Sequence, residues 1–292
     1  MRSAPDYLQA LQRLTPADKA VLITITGAKG STPRISGTRM LVTAAAQFDT
    51  IGGGHLEWKA IATARLWLAE AGAPGPAREL HLALGPSLGQ CCGGALSLKL
   101  ERTDGWNSTE WQQQTASMQR ERANLPQLYL FGAGHVGQAL VNILQATPCQ
   151  ITWVDERDHL FPADLPPQVI SEATDTPEAL IAAAPPGASF LVMTHHHGLD
   201  LLLTEHILKR SDAGWFGLIG SQTKRARFEH RLIERGIAKQ DLTRMVCPIG
   251  LPGIKGKEPG VIAVAVAAQL LQVWAARPTL SPFTPQLIQD AR

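Results

Sequence analysis

The segment that most constrains the fold is Gly132–Gly137, with the sequence G-A-G-H-V-G. It follows a short apolar segment, Gln127–Phe131, and precedes a stretch with helical periodicity. A second apolar segment, Gln150–Val154, leads into Asp155, which lies 23 positions after Gly132. A strand, a G-x-G-x-x-G turn, a helix, a second strand and an acidic residue are typical, in this order, of a dinucleotide-binding βαβ unit. The sequence therefore predicts a Rossmann-like parallel sheet.

The alternation of strand-like and helical segments continues through the C-terminal half. The sequence predicts strands at Ser189–Thr194 and Trp215–Ile219, and helices at Leu199–Arg210 and Gln222–Arg235. Such alternation implies a parallel sheet with helices on both faces.

The N-terminal third has a different pattern. It predicts strands at Ala20–Thr26, Arg39–Thr43, Leu80–Leu84 and Ala95–Leu100, and one helix at Leu56–Ala71. We expect that helix to bury a side formed by Trp58, Ile61, Ala62, Leu66 and Leu68. The fold class predicted for the whole chain is α/β, with a C-terminal Rossmann-like domain and a smaller N-terminal α+β domain.

Composition shifts divide the chain into four segments. Residues 1–101 form the predicted N-terminal domain, 102–124 a polar, Gln-rich linker, 125–276 the Rossmann-like domain, and 277–292 a tail. The linker predicts one helix at Ser108–Arg122, with Asn107 or Ser108 as its N-cap.

The composition excludes several classes of protein. Hydrophobic residues make up 45% and charged residues 18%, which excludes intrinsic disorder, and the net charge of +2 argues against a general nucleic-acid binder. The apolar run Val261–Ala276 is shorter than the roughly 20 residues of a membrane-spanning helix, so we expect a core helix. The first residues lack the apolar region of a signal peptide, and four cysteines are too few for a disulfide scaffold. We therefore expect a cytoplasmic protein with reduced thiols and no membrane partner.

Each glycine of the G-x-G-x-x-G turn has a predicted task. Gly132 permits the tight turn, Gly134 lets the backbone approach a phosphate, and Gly137 lets the helix pack on the sheet. His135 is placed to contact a phosphate or to face solvent, and Asp155 to accept a hydrogen bond from a ribose or from a pterin. The alternative interpretation is that these glycines serve packing only.

Cys91 and Cys92, in the segment Gly89–Gly94, are vicinal cysteines between glycines. Thiolates are soft metal ligands and sulfur nucleophiles, so we expect a functional pair on an accessible loop. No second cysteine pair has the required spacing, which argues against a complete zinc site. Cys149 and Cys247 lie in apolar surroundings and are predicted to be inert core residues.

Two further glycine-rich loops occur in the N-terminal third. Gly30–Arg34 offers hydroxyl groups and the guanidinium of Arg34, and Gly52, Gly53 and Gly54 precede the predicted helix. Both loops have backbone N–H groups that could bind an oxyanion, although ordinary turns have the same composition.

Two C-terminal segments are further candidate ligand-binding sites. His195, His196 and His197 follow a predicted strand, where open α/β sheets bind ligands, and we expect one or two of them to face the crevice. Lys224, Arg225 and Arg227 lie in the first turns of a predicted helix, where the helix dipole disfavours cations. Their position indicates an anionic ligand, with a solvated basic face as the alternative.

Six motifs, in this order, resemble the XdhC/CoxI family. They are G-S-T-P-R (Gly30–Arg34), I-G-G-G-H-L-E (Ile51–Glu57), G-Q-C-C-G-G (Gly89–Gly94), G-A-G-H-V-G (Gly132–Gly137), L-I-G-S…K-R-A-R-F (Leu218–Phe228) and P-I-G-L (Pro248–Leu251). The resemblance extends from about residue 20 to about residue 275.

The resemblance implies a non-enzymatic chaperone of the molybdenum cofactor. Such a protein binds the molybdopterin, protects it while a cysteine desulfurase-type donor supplies sulfur, and inserts it into the molybdenum-binding subunit of xanthine dehydrogenase. It implies a homodimer as well. The cofactor phosphate would be held by the glycine loops, Arg34 and the cations of Lys224–Arg227, and the molybdenum would lie near Cys91 and Cys92. A nucleotide could also occupy the Rossmann crevice.

Two other functions remain open from the sequence. The C-terminal half alone would indicate an NAD(P)-dependent oxidoreductase, although no Y-x-x-x-K pair or clear proton donor is found. A nucleotide-binding regulatory protein is the third hypothesis. Fold alone does not decide among them, so the N-terminal motifs carry the decision.

Overall fold

The structure is a computed structural model that describes residues 7–15, 18–83 and 94–276. The described residues form two compact units, and the boundary between them falls between Glu121 and Arg122. The predicted tail, 277–292, and the pair Cys91 and Cys92 lie outside the described residues.

The N-terminal unit contains one antiparallel sheet of five strands, in the order β3-β2-β1-β5-β4. Its elements are α1 (Tyr7–Arg13), β1 (Ala20–Lys29), β2 (Arg39–Thr43), β3 (Gln47–Phe48), α2 (Gly54–Ala69), β4 (Arg78–Ala83), β5 (Ala95–Arg102) and α3 (Ser108–Ala123). The central strand β1 is buried on both faces, which explains its nearly continuous apolar sequence. Val21, Ile23 and Ile25 pack in a core with α2, whereas Ala20 and Leu22 pack in a second core with α1 and α3.

Helix α2 buries a different side from the one the sequence predicted. Its buried apolar residues are Leu56, Ala60, Ala64, Trp67 and Leu68. Trp58 is 64% exposed and Leu66 is 71% exposed, so the predicted burial of these two is wrong. The observed side contains two alanines, whose small side chains let the helix lie close to the sheet. Large apolar residues on the opposite side misled the prediction.

The predicted linker 102–124 contains helix α3. The side chain of Asn107 accepts hydrogen bonds of 3.0 Å from two backbone N–H groups of the first turn, which confirms it as the N-cap. Trp106 and Trp111 meet edge to face, with ring centroids 5.4 Å apart, and pack against the apolar core of the N-terminal unit. Nearly all of α3 therefore belongs to this unit.

The C-terminal unit is a doubly wound sheet of six parallel strands, in the order β11-β10-β9-β6-β7-β8. Its elements are β6 (Gln127–Phe131), α4 (His135–Leu144), β7 (Gln150–Asp155), β8 (Val169–Ala173), α5 (Glu178–Ala183), β9 (Ser189–Val192), α6 (His197–Lys209), β10 (Trp215–Leu218), α7 (Gln222–Glu234), α8 (Lys239–Leu242), β11 (Met245–Val246) and α9 (Pro259–Ala275). The predicted α/β fold class is confirmed. The strand order reverses between β6 and β9, and such a point is where open α/β sheets bind ligands.

Helices cover both faces of this sheet. Residues of α4 and α9 pack in one apolar core, and residues of α6 and α7 pack in the other. Helix α9 buries Ala263, Val266, Leu270 and Trp274, so the apolar run near the C-terminus is a core helix as predicted. No helix in the described part of the chain is both long and apolar enough to cross a membrane.

Candidate functional site

The G-x-G-x-x-G turn connects β6 to α4, and its three glycines differ in their surroundings. Gly132 has φ +123°, and a Cβ at this position would lie 2.4 Å from the Met193 carbonyl oxygen. A Cβ at Gly137 would lie 2.2 Å from the Gly132 carbonyl oxygen, so both residues must be glycine for packing. At Gly134 no other described residue lies within 4 Å of the Cβ position. Gly134 therefore leaves open the backbone approach that a phosphate requires, and the adjacent His135 is exposed.

Asp155, at the end of β7, is buried and fully hydrogen-bonded within the chain. Its Oδ2 accepts from the Ala133 N–H (2.7 Å) and from Arg157 Nη2 (2.9 Å). Its Oδ1 accepts from the Arg157 N–H (3.1 Å) and Nε (2.8 Å). Burial raises the pKa of this carboxyl, but the hydrogen bonds from Arg157 and Ala133 outweigh burial and hold the pKa below its usual value.

A carboxylate has about four acceptor positions, and Asp155 uses four. The side chain therefore has no acceptor position left for the ribose or pterin that the sequence predicted. Its observed role is to fix the glycine turn against β7.

A cavity of about 320 Å³ lies at the carboxyl ends of the central strands, at the reversal of strand order. His195 and His196 line it, whereas His197 does not, which agrees with the expectation that one or two histidines face the crevice. His196 also caps α6, because its Nδ1 accepts a hydrogen bond from the Leu199 N–H (3.1 Å). The lining residues are Phe131, Gly132, Val154, Asp155, Glu156, Thr174, Asp175, Pro177, Thr194, His195, His196, Leu199 and Leu203.

A buried ion pair, between Lys224 and Asp200, is hydrogen-bonded to Thr194, the residue that precedes His195. Lys224 Nζ donates to Asp200 Oδ2 (2.7 Å) and to the Ile219 carbonyl oxygen (2.7 Å). Asp200, which is 1% exposed, also accepts from the N–H (3.1 Å) and hydroxyl (2.7 Å) of Thr194. The charge of Lys224 is thus neutralised inside the unit, and the sequence could not show this because the partners are 24 positions apart.

The two arginines of the same helix differ. Arg225 Nε donates to Glu229 Oε1 (2.7 Å), and its Nη1 donates to the Cys247 carbonyl oxygen (3.2 Å). Arg227 is exposed and has no polar partner among the described residues. Of the three predicted cations, Arg227 therefore has the side chain best placed to meet an external anion.

The glycine-rich loops of the N-terminal unit come together at one end of its sheet. A Cβ at Gly52 would lie 2.6 Å from Pro33 Cγ. A Cβ at Gly94, the last residue of the third motif, would lie 2.5 Å from the Ser31 carbonyl oxygen. The loop Gly30–Arg34 therefore contacts both neighbouring motifs so closely that each contact requires glycine. Arg34 itself is exposed.

Glu57 organises one of these loops, a role that the sequence analysis missed. Its buried carboxylate accepts hydrogen bonds from the N–H groups of Ile51 (3.0 Å) and Gly53 (3.1 Å), and from the Thr50 hydroxyl. The Gly52 N–H donates to the Thr50 hydroxyl oxygen (3.0 Å). These N–H groups are satisfied internally, so the prediction that Gly52 and Gly53 offer theirs to an oxyanion is wrong. An acidic residue in the first turn after a glycine loop was the available signal.

Gly54 begins α2 with φ +65°, and the exposed end of that helix carries two aromatic rings. His55 and Trp58 lie with ring centroids 5.4 Å apart, and both side chains face solvent. The two rings form an exposed aromatic surface beside the loop that Glu57 organises.

Cys149 and Cys247 are free and buried, as predicted. Burial raises the pKa of both thiols, and only weaker effects of neighbouring groups oppose it, so both remain protonated and unreactive at neutral pH. Among the described residues, no group of three or more His, Cys, Asp or Glu side chains could hold a metal ion.

Known proteins resemble this chain in sequence and in fold. It is 29% identical over 259 residues to an uncharacterised Escherichia coli (strain K12) protein, YqeB, a match that covers 85% of this chain. The chain spans only 42% of the length of that relative. A Bacillus halodurans protein described as a xanthine dehydrogenase has the same fold, with a TM-score of 0.74 and 20% identity. That match covers 94% of this chain and 96% of the other.

Family models match both units. A model described as the XdhC Rossmann domain matches residues 128–270, in the C-terminal unit, and one described as the XdhC and CoxI family matches residues 14–79, in the N-terminal unit. The two matches cover the strand–glycine turn–helix segment and the first two glycine loops. The chain therefore belongs to the XdhC/CoxI family of accessory proteins.

Proposed function

We propose that the protein is a chaperone of the molybdenum cofactor, not an enzyme. It binds the cofactor as cargo in the cytoplasm, protects it while a cysteine desulfurase-type donor supplies sulfur, and inserts it into the molybdenum-binding subunit of xanthine dehydrogenase. Family membership in both units is the observation that carries this proposal.

The chemistry of the N-terminal unit is compatible with this cargo. Molybdopterin combines a flat pterin, a phosphate and a pair of sulfur atoms. The exposed rings of His55 and Trp58 suit a flat heterocycle, and the exposed guanidinium of Arg34 suits a phosphate. The motif that contains Cys91 and Cys92 ends at Gly94, which lies against the loop of Arg34. We propose that these thiols approach the sulfur and molybdenum end of the cargo.

The deciding experiment compares protein purified from cells that make the cofactor with protein from cells that cannot. Bound pterin is identified by fluorescence after oxidation, and bound nicotinamide by mass spectrometry. We expect pterin in the first preparation and neither compound in the second. Nicotinamide without pterin would favour the alternative, an NAD(P)-dependent oxidoreductase.

Substitutions locate the cargo. Arg34→Ala should lower the pterin content several-fold, whereas Arg65→Ala, which removes another exposed arginine of the same unit, should leave it unchanged. The double variant Cys91→Ser and Cys92→Ser should fold normally and fail to activate apo xanthine dehydrogenase. Full activation by this variant would show that the thiols are not needed.

We also propose a homodimer. Sedimentation of the purified protein should give twice the chain mass of 31.4 kDa. A single species at the mass of one chain would contradict the dimer without affecting the proposed cargo.

A further inference from the structure

The two helices on one face of the parallel sheet carry no charged side chain. Helices α4 and α9 pack against each other in one apolar core, and their 10 and 17 residues include no Asp, Glu, Lys or Arg. Helices α6 and α7, on the other face, contain three and six such residues. A helix that faces water usually carries charged residues on its outer side. The α4–α9 face therefore has the composition of a covered surface, and the α6–α7 face that of a surface in contact with water.

Helix α9 has an apolar stripe on its outer side. Val264 is 52% exposed and Leu271 is 40% exposed, although both are large apolar residues. Together with Ala268 and Ala275 they are spaced by four, three and four positions, which places all four on one side of the helix. A stripe with this spacing is typical of a helix that packs along another helix.

The stripe is complementary to itself. If two copies of α9 lie antiparallel about a two-fold axis between positions 269 and 270, Leu271 lies opposite the partner's Ala268. In the same register, Val264 lies opposite the partner's Ala275. Each large side chain then meets a small one, and this alternation lets facing layers interdigitate. Because α9 has no charged residue, the identical surfaces meet without like-charge repulsion.

We propose that the α4–α9 face is the interface between two copies of this chain, related by a two-fold axis with their α9 helices antiparallel. A helix of 17 residues is about 25 Å long and about 10 Å wide, so α9 alone offers too little surface for the roughly 800 Å² that each partner of a stable interface buries. The uncharged helix α4 beside it enlarges the face. The inference rests on the homodimer proposed above and does not depend on the cargo.

The first test is sedimentation equilibrium of the full chain and its variants. Leu271→Lys should raise the dimer dissociation constant at least about hundredfold, because each dimer contains the substitution twice and burial of one leucine contributes a factor of about ten or more. Val264→Lys should weaken the dimer as well. Ile233→Lys, on α7, and Ile170→Lys, on β8, replace apolar residues of matched exposure, 42% and 53%, and should leave the dissociation constant within about twofold.

Cross-linking tests the orientation of the two helices. In a chain that carries Cys91→Ser and Cys92→Ser, the further changes Val264→Cys and Ala275→Cys together should give covalent dimers with a short bismaleimide. Val264→Cys without Ala275→Cys should give none, because the two copies of position 264 would be offset by 11 positions, about 16 Å along the helix axis. The other two cysteines of the chain are buried and should not react.

Three results would overturn the proposal. A parent protein that sediments as a single chain would contradict both this interface and the homodimer. A parent dimer that neither Leu271→Lys nor Val264→Lys weakens would show that the copies meet through another face, and the homodimer would stand. Covalent dimers of Val264→Cys alone would exclude the antiparallel orientation.

Two further measurements keep these outcomes apart from other effects. Circular dichroism of the lysine variants should show the helix content of the parent protein, so that a lost dimer reports on association and not on folding. The pterin content of the purified protein is measured separately, and none of the three contrary results bears on the proposed cargo.

Discussion

Glu57 should contribute to stability far more than a typical surface acid, because it holds the loop before α2. Replacing it with alanine leaves the Ile51 and Gly53 N–H groups and the Thr50 hydroxyl without their acceptor. A buried unsatisfied donor costs about 1–3 kcal/mol. Ile51 is 0% exposed and should incur the full cost, whereas water can reach Gly53 in part. We therefore expect Glu57→Ala to lower the free energy of unfolding by about 3 kcal/mol.

Two variants and two measurements test this reasoning. Glu57→Gln keeps one carbonyl acceptor and should cost about 1 kcal/mol. Glu79→Ala removes an exposed acid of the same unit and should change the free energy of unfolding by less than about 0.5 kcal/mol. Urea unfolding gives the magnitudes, and hydrogen exchange should show faster exchange of the Ile51 and Gly53 amides in Glu57→Ala. A loss below about 0.5 kcal/mol with unchanged exchange would refute the assigned role of Glu57.

Three further predictions concern the C-terminal unit. Gly137→Ala should lower the free energy of unfolding by more than about 2 kcal/mol, because its Cβ would meet the Gly132 carbonyl. Gly134→Ala should lower it by less than about 1 kcal/mol. Equal losses of the two variants in urea titrations would contradict this difference. Asp155→Asn should lower the free energy of unfolding by about 2 kcal/mol at neutral pH and by less in acid. A carboxyl whose pKa is lowered by folding stabilises the fold above its unfolded pKa, and this stabilisation is lost as the pH falls through its folded pKa. A cost independent of pH would show that the charge is not involved. Lys224→Met should lower the free energy of unfolding by about 3–5 kcal/mol, because the buried Asp200 carboxylate would lose its cation. Thermal unfolding that matches the parent protein would disprove the ion pair.

The sequence predicted the parts of the fold that depend on local pattern. Strands β2 and β6 have the predicted bounds, because each is a compact apolar segment with polar or turn residues at its ends. The glycine turn also appears where predicted, since Gly132 and Gly137 are required by backbone geometry. Strand β8 was not predicted, because it is an edge strand that buries only Val169.

The sequence predicted the location of the candidate sites better than the tasks of their side chains. His195 and His196 line the cavity at the strand ends, which is where open α/β sheets bind ligands. Lys224 and Asp155 were expected to meet a ligand, but each is bound by partners of the same chain. Asp200 and Ala133 come from other segments of the chain, so no local pattern shows these two contacts, whereas Arg157 lies only two positions from Asp155.

The sequence by itself determined the parallel sheet, its glycine turn and the family motifs, because strand and helix periodicity and glycine requirements act over a few neighbouring residues. The tertiary structure alone decided which charges remain free. Buried charges need partners: Lys224 pairs with Asp200, 24 positions away, and Asp155 is bound by the nearby Arg157 and by the backbone of Ala133, 22 positions away. Arg34 and Arg227 are exposed, while the more conspicuous Asp155 and Lys224 hold the fold together.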